Sequence, residues 1–318
     1  MTKRVIVTGG AGFVGSHVAD AFLGAGYDVV VIDNLHSGDP ANVPAQARFY
    51  REDIRDAAAL ERIFAAERPD LVSHQAALAD VRQSLAFPDL YADVNIIGTI
   101  RLLEACRRHG VRKFIFASTG GAIYGESTRI PTPEDTLPRP LDCYGVSKLA
   151  GEHYLLSYKQ NFGLDYCVLR YSNVYGPRQN AKGEAGVVAI FTTRMLRGEP
   201  VTIYGDGQQT RDFVYVEDVA RANLMAVARG SGVYNIGTGV ATDINTLFAH
   251  LARMTGYALP AMRGAAKAGE VRYSCLDPSQ AWRELGWRAT TSLADGLFKT
   301  VQAFAADHGR EARRVTPA

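Results

Sequence analysis

Short β-branched runs alternate with stretches of helical spacing through the first half of the chain. Arg4–Thr8 reads RVIVT and is closed by glycine, the pattern of a strand buried on both faces. Behind it Val14, Val18, Ala21 and Phe22 recur at helical spacing, which predicts a helix over Ser16–Gly24. Asp28–Ile32 is a second strand, Arg48–Arg51 a short third, and Ala57–Glu67 a helix followed by Pro69. Asp70–His74 and Lys113–Ala117 read as further strands, separated by one long helical stretch from Leu90 to His109 that stops at Gly110. Another helix is expected over Gly145–Asn161. This alternation predicts an α/β fold, a doubly wound parallel sheet with right-handed crossovers, whose ligand lies beyond the carboxyl ends of the strands.

The regularity weakens after Arg170. Pro and Gly cluster in Tyr175-Gly176-Pro177-Arg178 and in Tyr204-Gly205-Asp206-Gly207, and a smaller second lobe of loops and short helices is expected there. The division is 1–172 for the sheet domain and 173–318 for the C-terminal lobe, with the chain returning to the sheet domain around 212–238. Gly309–Ala318 holds three arginines without apolar periodicity and reads as a frayed, solvated tail.

Composition removes several function classes. A net charge of +2 gives no broad basic field for nucleic acid. Cys106, Cys143, Cys167 and Cys275 are scattered without metal-ligand or paired spacing, which points to reduced thiols in a cytoplasmic protein and to no bound metal. The chain enters a strand at once, leaving no room for a signal peptide, and no apolar run approaches the ~20 residues of a membrane span.

The candidate chemistry begins at the first strand end. Gly9, Gly12 and Gly15 are spaced by three between a strand and a helix. Glycine serves there for the tight turn, for close approach to a pyrophosphate and for helix–strand packing, and the free N–H groups of the helix start, at Phe13 and Val14, face the phosphate. The second strand ends in Asp33, followed by Asn34 and no arginine. An acidic side chain accepts both ribose hydroxyls and repels a 2′-phosphate, so NAD is the expected cofactor. Asp53 is a candidate for the adenine amino group and Ile54 for its ring face; Asp53 as a cap on the following helix is the competing reading. Ala76 and Ala77 form a small-residue loop passing close to the cofactor, and His74 before them reads as a satisfied core histidine.

Tyr144 and Lys148 sit at i and i+4, on one face of a helix. A neighbouring Lys⁺ favours the phenolate, which can take a proton from a sugar hydroxyl while the carbon beneath is oxidised by NAD⁺. Lys148 also reaches the nicotinamide ribose. Ser118 and Thr119 follow a strand and supply hydroxyls beside the substrate; either can bond the reacting hydroxyl, and a turn or capping role is the alternative for each.

Taken together, Gly9–Gly15, Asp33, Asp53-Ile54, His74–Ala77, Asn95–Thr99, Tyr144–Lys148, Leu169–Arg178 and Arg211–Val216 resemble the extended short-chain dehydrogenase/reductase superfamily, over residues 1 to about 300. Among its branches the chain is most similar to the NAD-dependent nucleotide-sugar epimerases of the UDP-glucose 4-epimerase type. The resemblance implies a Rossmann-type sheet with a smaller C-terminal substrate-binding lobe. It implies Thr119, Tyr144 and Lys148 as catalytic residues, with Ser118 the rival of Thr119. Asn173 and Arg211 would bind the substrate diphosphate, Val188 and Phe191, with Val187, would lie at the uracil and ribose, and Asn95 would be a structural and active-site asparagine. Asp212 and Tyr215 would organise the Arg211 loop. Lys267–Ser274 resembles the last nucleotide-binding segment, with Lys267 where Arg is usual and Glu270 where Asp is common, so that Arg272 can substitute as the phosphate ligand. Ser274 falls where a large residue in some members limits space at the sugar C2, so a 2-acetamido sugar is expected to fit.

Gly120-Gly121 stand where related 4,6-dehydratases carry an Asp-Glu pair, and the Glu of the decarboxylases is missing too. Without an additional acid or base, the 4-keto sugar rotates and is reduced on its other face. This is 4-epimerisation of a UDP-sugar, UDP-glucose/UDP-galactose first, with UDP-glucuronate held by Arg178 or Ser118-Thr119, UDP-GlcNAc, or a dTDP-sugar as alternatives. A net dehydrogenase, a dehydratase and a non-catalytic NAD-binding regulator are the other readings. The helices Leu90–His109 and Gly145–Asn161 carry more apolar surface than one sheet face needs, which predicts a homodimer.

Overall fold

The computed structural model describes residues 3–180, 186–266 and 271–315, those from 309 onward by their backbone alone. The main sheet is built from β1 (Arg4–Thr8), β2 (Asp28–Ile32), β3 (Arg48–Tyr50), β4 (Leu71–His74), β5 (Lys113–Thr119) and β6 (Asp165–Tyr171). β7 (Asn173–Tyr175), β8 (Thr202–Tyr204), β9 (Thr210–Tyr215), β10 (Gly232–Ile236), β11 (Ala241–Asp243) and β12 (Met262–Gly264) complete the strands. Seven of them pair in the order β10-β6-β5-β4-β1-β2-β3, every pair parallel. The order reverses between β1 and β4, so the chain leaves the two strands in opposite directions and opens a crevice at their carboxyl ends. This is a Rossmann-type doubly wound sheet, the architecture that the alternation predicts.

The helices are α1 (Phe13–Gly24), α2 (Ala57–Glu67), α3 (Val81–Ala86), α4 (Pro88–Ala92), α5 (Gly98–Arg108), α6 (Gly120–Ile123) and α7 (Cys143–Phe162), then α8 (Val187–Leu196), α9 (Val216–Ala228), α10 (Ile244–Thr255) and α11 (Leu293–Val315). Successive strand residues face opposite sides. Val5, Val7, Val29 and Val31 pack with Val18 and Phe22 of α1 and with Val219 and Ala222 of α9. Ile6, Val30, Val72, Phe114 and Phe116 pack on the other side with α2, α5 and α7 through Phe64, Leu102, Leu103 and Leu155. Both faces are therefore covered, as a parallel sheet requires.

The structure revises three of the expected elements. The stretch Leu90–His109 is not one α-helix: α4 and α5 flank a π-helical turn, Asp93–Ile97, that carries Asn95. Such turns insert one residue and re-aim a side chain, a displacement that apolar spacing does not reveal. The second lobe holds a three-stranded sheet, β11-β9-β7, and a two-stranded one, β12-β8; most of these strands have three residues, too few for alternation to show. The segment from Gly309 to Val315 continues α11. Extending an existing helix adds one hydrogen bond per residue fixed and needs no nucleus, so Glu, Ala and Arg carry it on without an apolar stripe. The lobe has a core of its own, in which α8, α10 and α11 close over β8 and β9.

Candidate active site

The glycine turn fits a dinucleotide. Gly9 has φ +69°, and a Cβ there would lie 2.7 Å from Ala76 N. A Cβ on Gly15 would lie 2.0 Å from Gly9 O, so only glycine lets α1 start so near β1. Gly12 is the N-cap of α1 and no side chain caps that end, which leaves the first N–H groups, at Phe13 and Val14, for an anion. Asp33, 9% exposed, accepts from Ala11 N at 3.0 Å and Leu35 N at 2.8 Å, which fixes its carboxylate at the end of β2. A cleft of about 880 Å³ opens here, lined by Gly12, Phe13, Ala77, Arg178, Gln179 and Ile190 among others.

The adenine-side candidates take other partners. Arg55 donates two side-chain bonds to Asp53, at 2.8 and 3.0 Å, and holds its carboxyl far below the usual range; Asn34 adds a bond of 2.9 Å. The cap on α2 is Asp56, which accepts from Ala58 N and Ala59 N. Ile54 is buried against Gly98, whose missing Cβ makes room for it.

Thr119 closes β5, which runs two residues beyond the expected strand. Its Oγ1 accepts from Ala122 N at 3.2 Å and caps α6. A Cβ on Gly145 would lie 2.8 Å from Ala122 O, so the first turn of α7, with Tyr144, presses on the segment that follows Thr119. Lys148 is buried beneath: its Nζ donates to Ala117 O at 2.9 Å and lies 4.9 Å from the Phe116 ring centre. Burial lowers the Lys148 ammonium to about 8, against an opposing pull from Glu152. Asn95, on the π-turn, exchanges two 2.9 Å bonds with the Leu78 backbone and donates to Ser147 Oγ at 2.9 Å; Ser147 in turn donates to Tyr144 O at 2.7 Å. One buried amide thus ties the Ala76–Leu78 loop to the tyrosine turn.

His74 is the satisfied core histidine its position suggests. Thr99 donates to Asn95 O, so it accepts from His74 Nε2 at 2.9 Å, and Nδ1 accepts from Thr8 Oγ1 at 2.7 Å. Burial, then the nearby Lys148 charge, holds it well below its ordinary value, hence neutral.

The structure separates the two neighbouring hydroxyls. Ser118 turns into the protein and donates to Glu152 Oε1 at 2.5 Å. Glu152 pairs with Arg170 through 2.6 and 3.0 Å bonds, and Arg170 Nη1 donates to Tyr124 OH at 2.8 Å. Sequence reasoning missed this network. Its signals were Glu152 four residues beyond Lys148, and Arg170 as a charge inside an apolar strand.

In the second lobe Asn173 Oδ1 is buried with no hydrogen-bond partner among the described residues, as an acceptor reserved for a ligand would be. Asn173 pairs in register with Phe213, two residues from Arg211 on the adjacent strand. Arg211 donates to Thr210 O at 2.8 Å and lies beside Arg272, which is held by Asp206 at 2.7 Å and stacks on Tyr273. Buried Asp212 anchors this region by accepting from Thr238 N and Oγ1, Gly239 N and Leu276 N. Tyr215 is buried in the lobe core, its ring near that of Tyr175. Val188 and Phe191, at 1% and 4% exposure, pack in the core of the lobe, and Ile190, between them, lines the cleft. Arg178, proposed for a sugar carboxylate, is paired with Asp20 at 2.7 Å. Glu270 and Lys267 lie outside the described residues.

Residues 5–237 match the model of the NAD dependent epimerase/dehydratase family. The chain is similar to the UDP-glucose 4-epimerase of Thermotoga maritima, solved with UDP-glucose: 50% identity, TM-score 0.95, 96% of this chain and 99% of that one covered. It is similar to the UDP-glucose 4-epimerase of Thermus thermophilus, solved with NAD, at 46% identity and TM-score 0.91, with 95% and 98% covered. A relative from Mycolicibacterium smegmatis, also a UDP-glucose 4-epimerase, is 41% identical, with 95% of this chain and 98% of that protein aligned. With the uncapped helix start, the glycine turn and Asp33 already in place for a dinucleotide, these matches show that the chain belongs to the NAD dependent epimerase/dehydratase family.

Proposed function

We propose that this protein is an isomerase, an NAD-dependent UDP-sugar 4-epimerase acting on UDP-glucose and UDP-galactose. The observation that carries the reading is the packing of the Tyr144 turn and the buried Lys148 ammonium against the Thr119 end of β5, within a fold sharing half its residues with a UDP-glucose 4-epimerase. NAD, when bound, supplies a reversible two-electron oxidant for C4 of the sugar. Tyr144 takes the C4 hydroxyl proton and returns it after the keto sugar has turned over. Lys148 keeps that phenol acidic and reaches the ribose. Thr119 bonds the reacting oxygen. Gly9, Gly12, Phe13, Val14 and Asp33 hold the cofactor, beside Ala76 and Ala77. Asn173, Arg211 and Arg272 hold the diphosphate; Arg's planar fork suits phosphate oxygens. Residues 1–172 with the returning segment form the cofactor domain, and the rest binds the nucleotide sugar.

The test is purified protein given UDP-glucose, UDP-glucuronate and UDP-GlcNAc separately, followed by chromatography and by NADH absorbance. Conversion of UDP-glucose to its 4-epimer without NADH build-up is expected; steady NADH release in its place makes the protein a net dehydrogenase. UDP-GlcNAc is a second expected substrate, favoured by the small Ser274 side chain beside β9. UDP-glucuronate is not favoured, since Arg178 is held by Asp20 and Ser118 by a carboxylate.

The hydroxyl assignment has its own test. Thr119→Ala is expected to lower kcat by roughly a hundredfold, and Ser118→Ala by a smaller factor, roughly tenfold. The reverse ranking would make Ser118 the relay.

A homodimer accompanies this reading. Leu90, Ile97, Val146, Tyr154 and Phe162 stand exposed along α4, the π-turn and α7, an apolar face that a second copy would bury about a two-fold axis. Light scattering at micromolar concentration is expected to give twice the 34.5 kDa chain mass; a monomer would refute it. Among the described residues no helix is long and apolar enough to cross a membrane, and all four cysteines are free, which supports a reducing, cytoplasmic setting.

A further inference from the structure

Beneath the reactive end of β5 lies a charge pair that the proton transfer itself does not use. Glu152 and Arg170 are 7% and 5% exposed. Glu152 Oε1 accepts from Ser118 Oγ at 2.5 Å and Arg170 Nε at 3.0 Å, and Oε2 accepts from Arg170 Nη2 at 2.6 Å. Arg170 also lies over the Tyr124 ring, 4.9 Å from its centre, and Tyr124 OH donates to Asn235 Oδ1 at 2.9 Å. Every member has partners, the condition under which a buried ionic network is tolerated. A plain structural staple has no need of its location. Glu152 stands one helical turn after Lys148 on the same face of α7, and Ser118 is the residue before Thr119.

We propose that Glu152 and Arg170 form a positioning pair for the reaction: Glu152 draws the Ser118 hydroxyl inward, which turns Thr119 toward the crevice, and its carboxylate balances the buried Lys148 ammonium. The first part follows from strand geometry, because adjacent side chains point to opposite faces and fixing one fixes the other. The second follows from the charges around Lys148. Phe116 and the Ala117 carbonyl face it from β5, neutral His74 from β4, Tyr144 and Glu152 from α7, and Arg170 from β6 beyond Glu152. Glu152 is the one carboxylate of that group. Without it two cations share a low-dielectric site, and Lys148 gives up its proton sooner. Arg170 orients Glu152 with two bonds and satisfies what Ser118 leaves open. Neither residue touches substrate, so both are positioning residues. The proposal rests on the epimerase reading for its kinetic arm only.

The test uses the NAD-bound enzyme and two readouts. The first is the titration of Lys148 Nζ, followed by NMR of isotope-labelled lysine without sugar. The second is kcat and KM for UDP-glucose. Glu152→Gln is expected to lower the Lys148 midpoint by about one unit or more. It is expected to lower kcat by between about ten- and a hundredfold, with KM changed far less. Glu152→Asp, which keeps the charge, should restore the midpoint, and Ser118→Ala should leave it unmoved. A folded Glu152→Gln enzyme with the parental midpoint and kcat overturns the proposal. Should that variant fail to fold, the double variant Glu152→Leu with Arg170→Met removes both charges together. In it the midpoint is expected to stay near the parent's, because the Arg170 cation leaves with the Glu152 carboxylate, while kcat falls; a parental kcat shows a staple only and sinks the idea. If the parent itself fails to convert UDP-glucose, the epimerase reading falls, while the Lys148 titration still decides the electrostatic claim.

Discussion

Tyr144→Phe is expected to lower kcat for UDP-glucose by roughly 10²- to 10⁴-fold, with NAD still bound and KM changed only a few-fold. The substitution removes one oxygen. The ring remains on the first turn of α7, where Gly145 against Ala122 O and the Asn95–Ser147 bonds set the backbone. The turn therefore keeps its place, and the loss falls on the transition state, where the hydroxyl proton must move. Steady-state conversion by chromatography, with bound nucleotide measured after denaturation, separates the two effects. Unchanged conversion would sink the catalytic reading; loss of bound NAD would instead assign Tyr144 to cofactor binding.

Lys148→Met is expected to abolish most of the activity and yet to raise the Tm of the NAD-free protein. Burial depresses the ammonium from 10.5 to about 8. At about 1.4 kcal/mol per unit, keeping it charged costs the fold about 3 kcal/mol near neutrality. Methionine fills similar space and removes that cost, less about 1 kcal/mol for the donor lost to Ala117 O. A net gain of about 2 kcal/mol corresponds to several degrees in a chain of this size. The sign with pH follows from linkage. Below pH 8 lysine is charged in both folded and unfolded chains, and the folded state bears the whole penalty. Between about 8 and 10.5 the folded protein sheds the proton first, so the parent gains stability as pH rises and the gap to the variant closes. Added NAD should stabilise the parent more than the variant, because Lys148 is proposed to bond the ribose. Calorimetry across this pH range checks the prediction. A variant no more stable than the parent at neutral pH would show that Lys148 carries no burial penalty. A cost of this kind is what a functional site retains for its chemistry.

From β1 to β5 the order of strands and helices was legible because β1, β2, β4 and β5 are buried and carry short apolar runs. The glycine turn was legible because backbone proximity leaves no alternative residue: at Gly15 a single methyl group would meet Gly9 O at 2.0 Å. The small sheets of the second lobe were not legible, because three-residue strands draw their stability from partners far along the chain.

Within the site, local spacing determined the Tyr144–Lys148 pair, since i and i+4 share a helix face whatever surrounds them. It left Ser118 and Thr119 equivalent. Only the tertiary structure distinguishes them, by bringing Glu152 from α7 and Arg170 from β6 to the inward one. The tertiary structure also brings Arg55 to Asp53 and Asp20 to Arg178. It places Val188 and Phe191 in the core of the second lobe. The sequence by itself determined the fold class, the glycine turn and the pairing of Tyr144 with Lys148 on one helix face, because backbone sterics and helix periodicity are local. Which polar groups remain for a ligand was decided by the tertiary structure alone, because a side chain's free valence depends on neighbours that the linear order does not name.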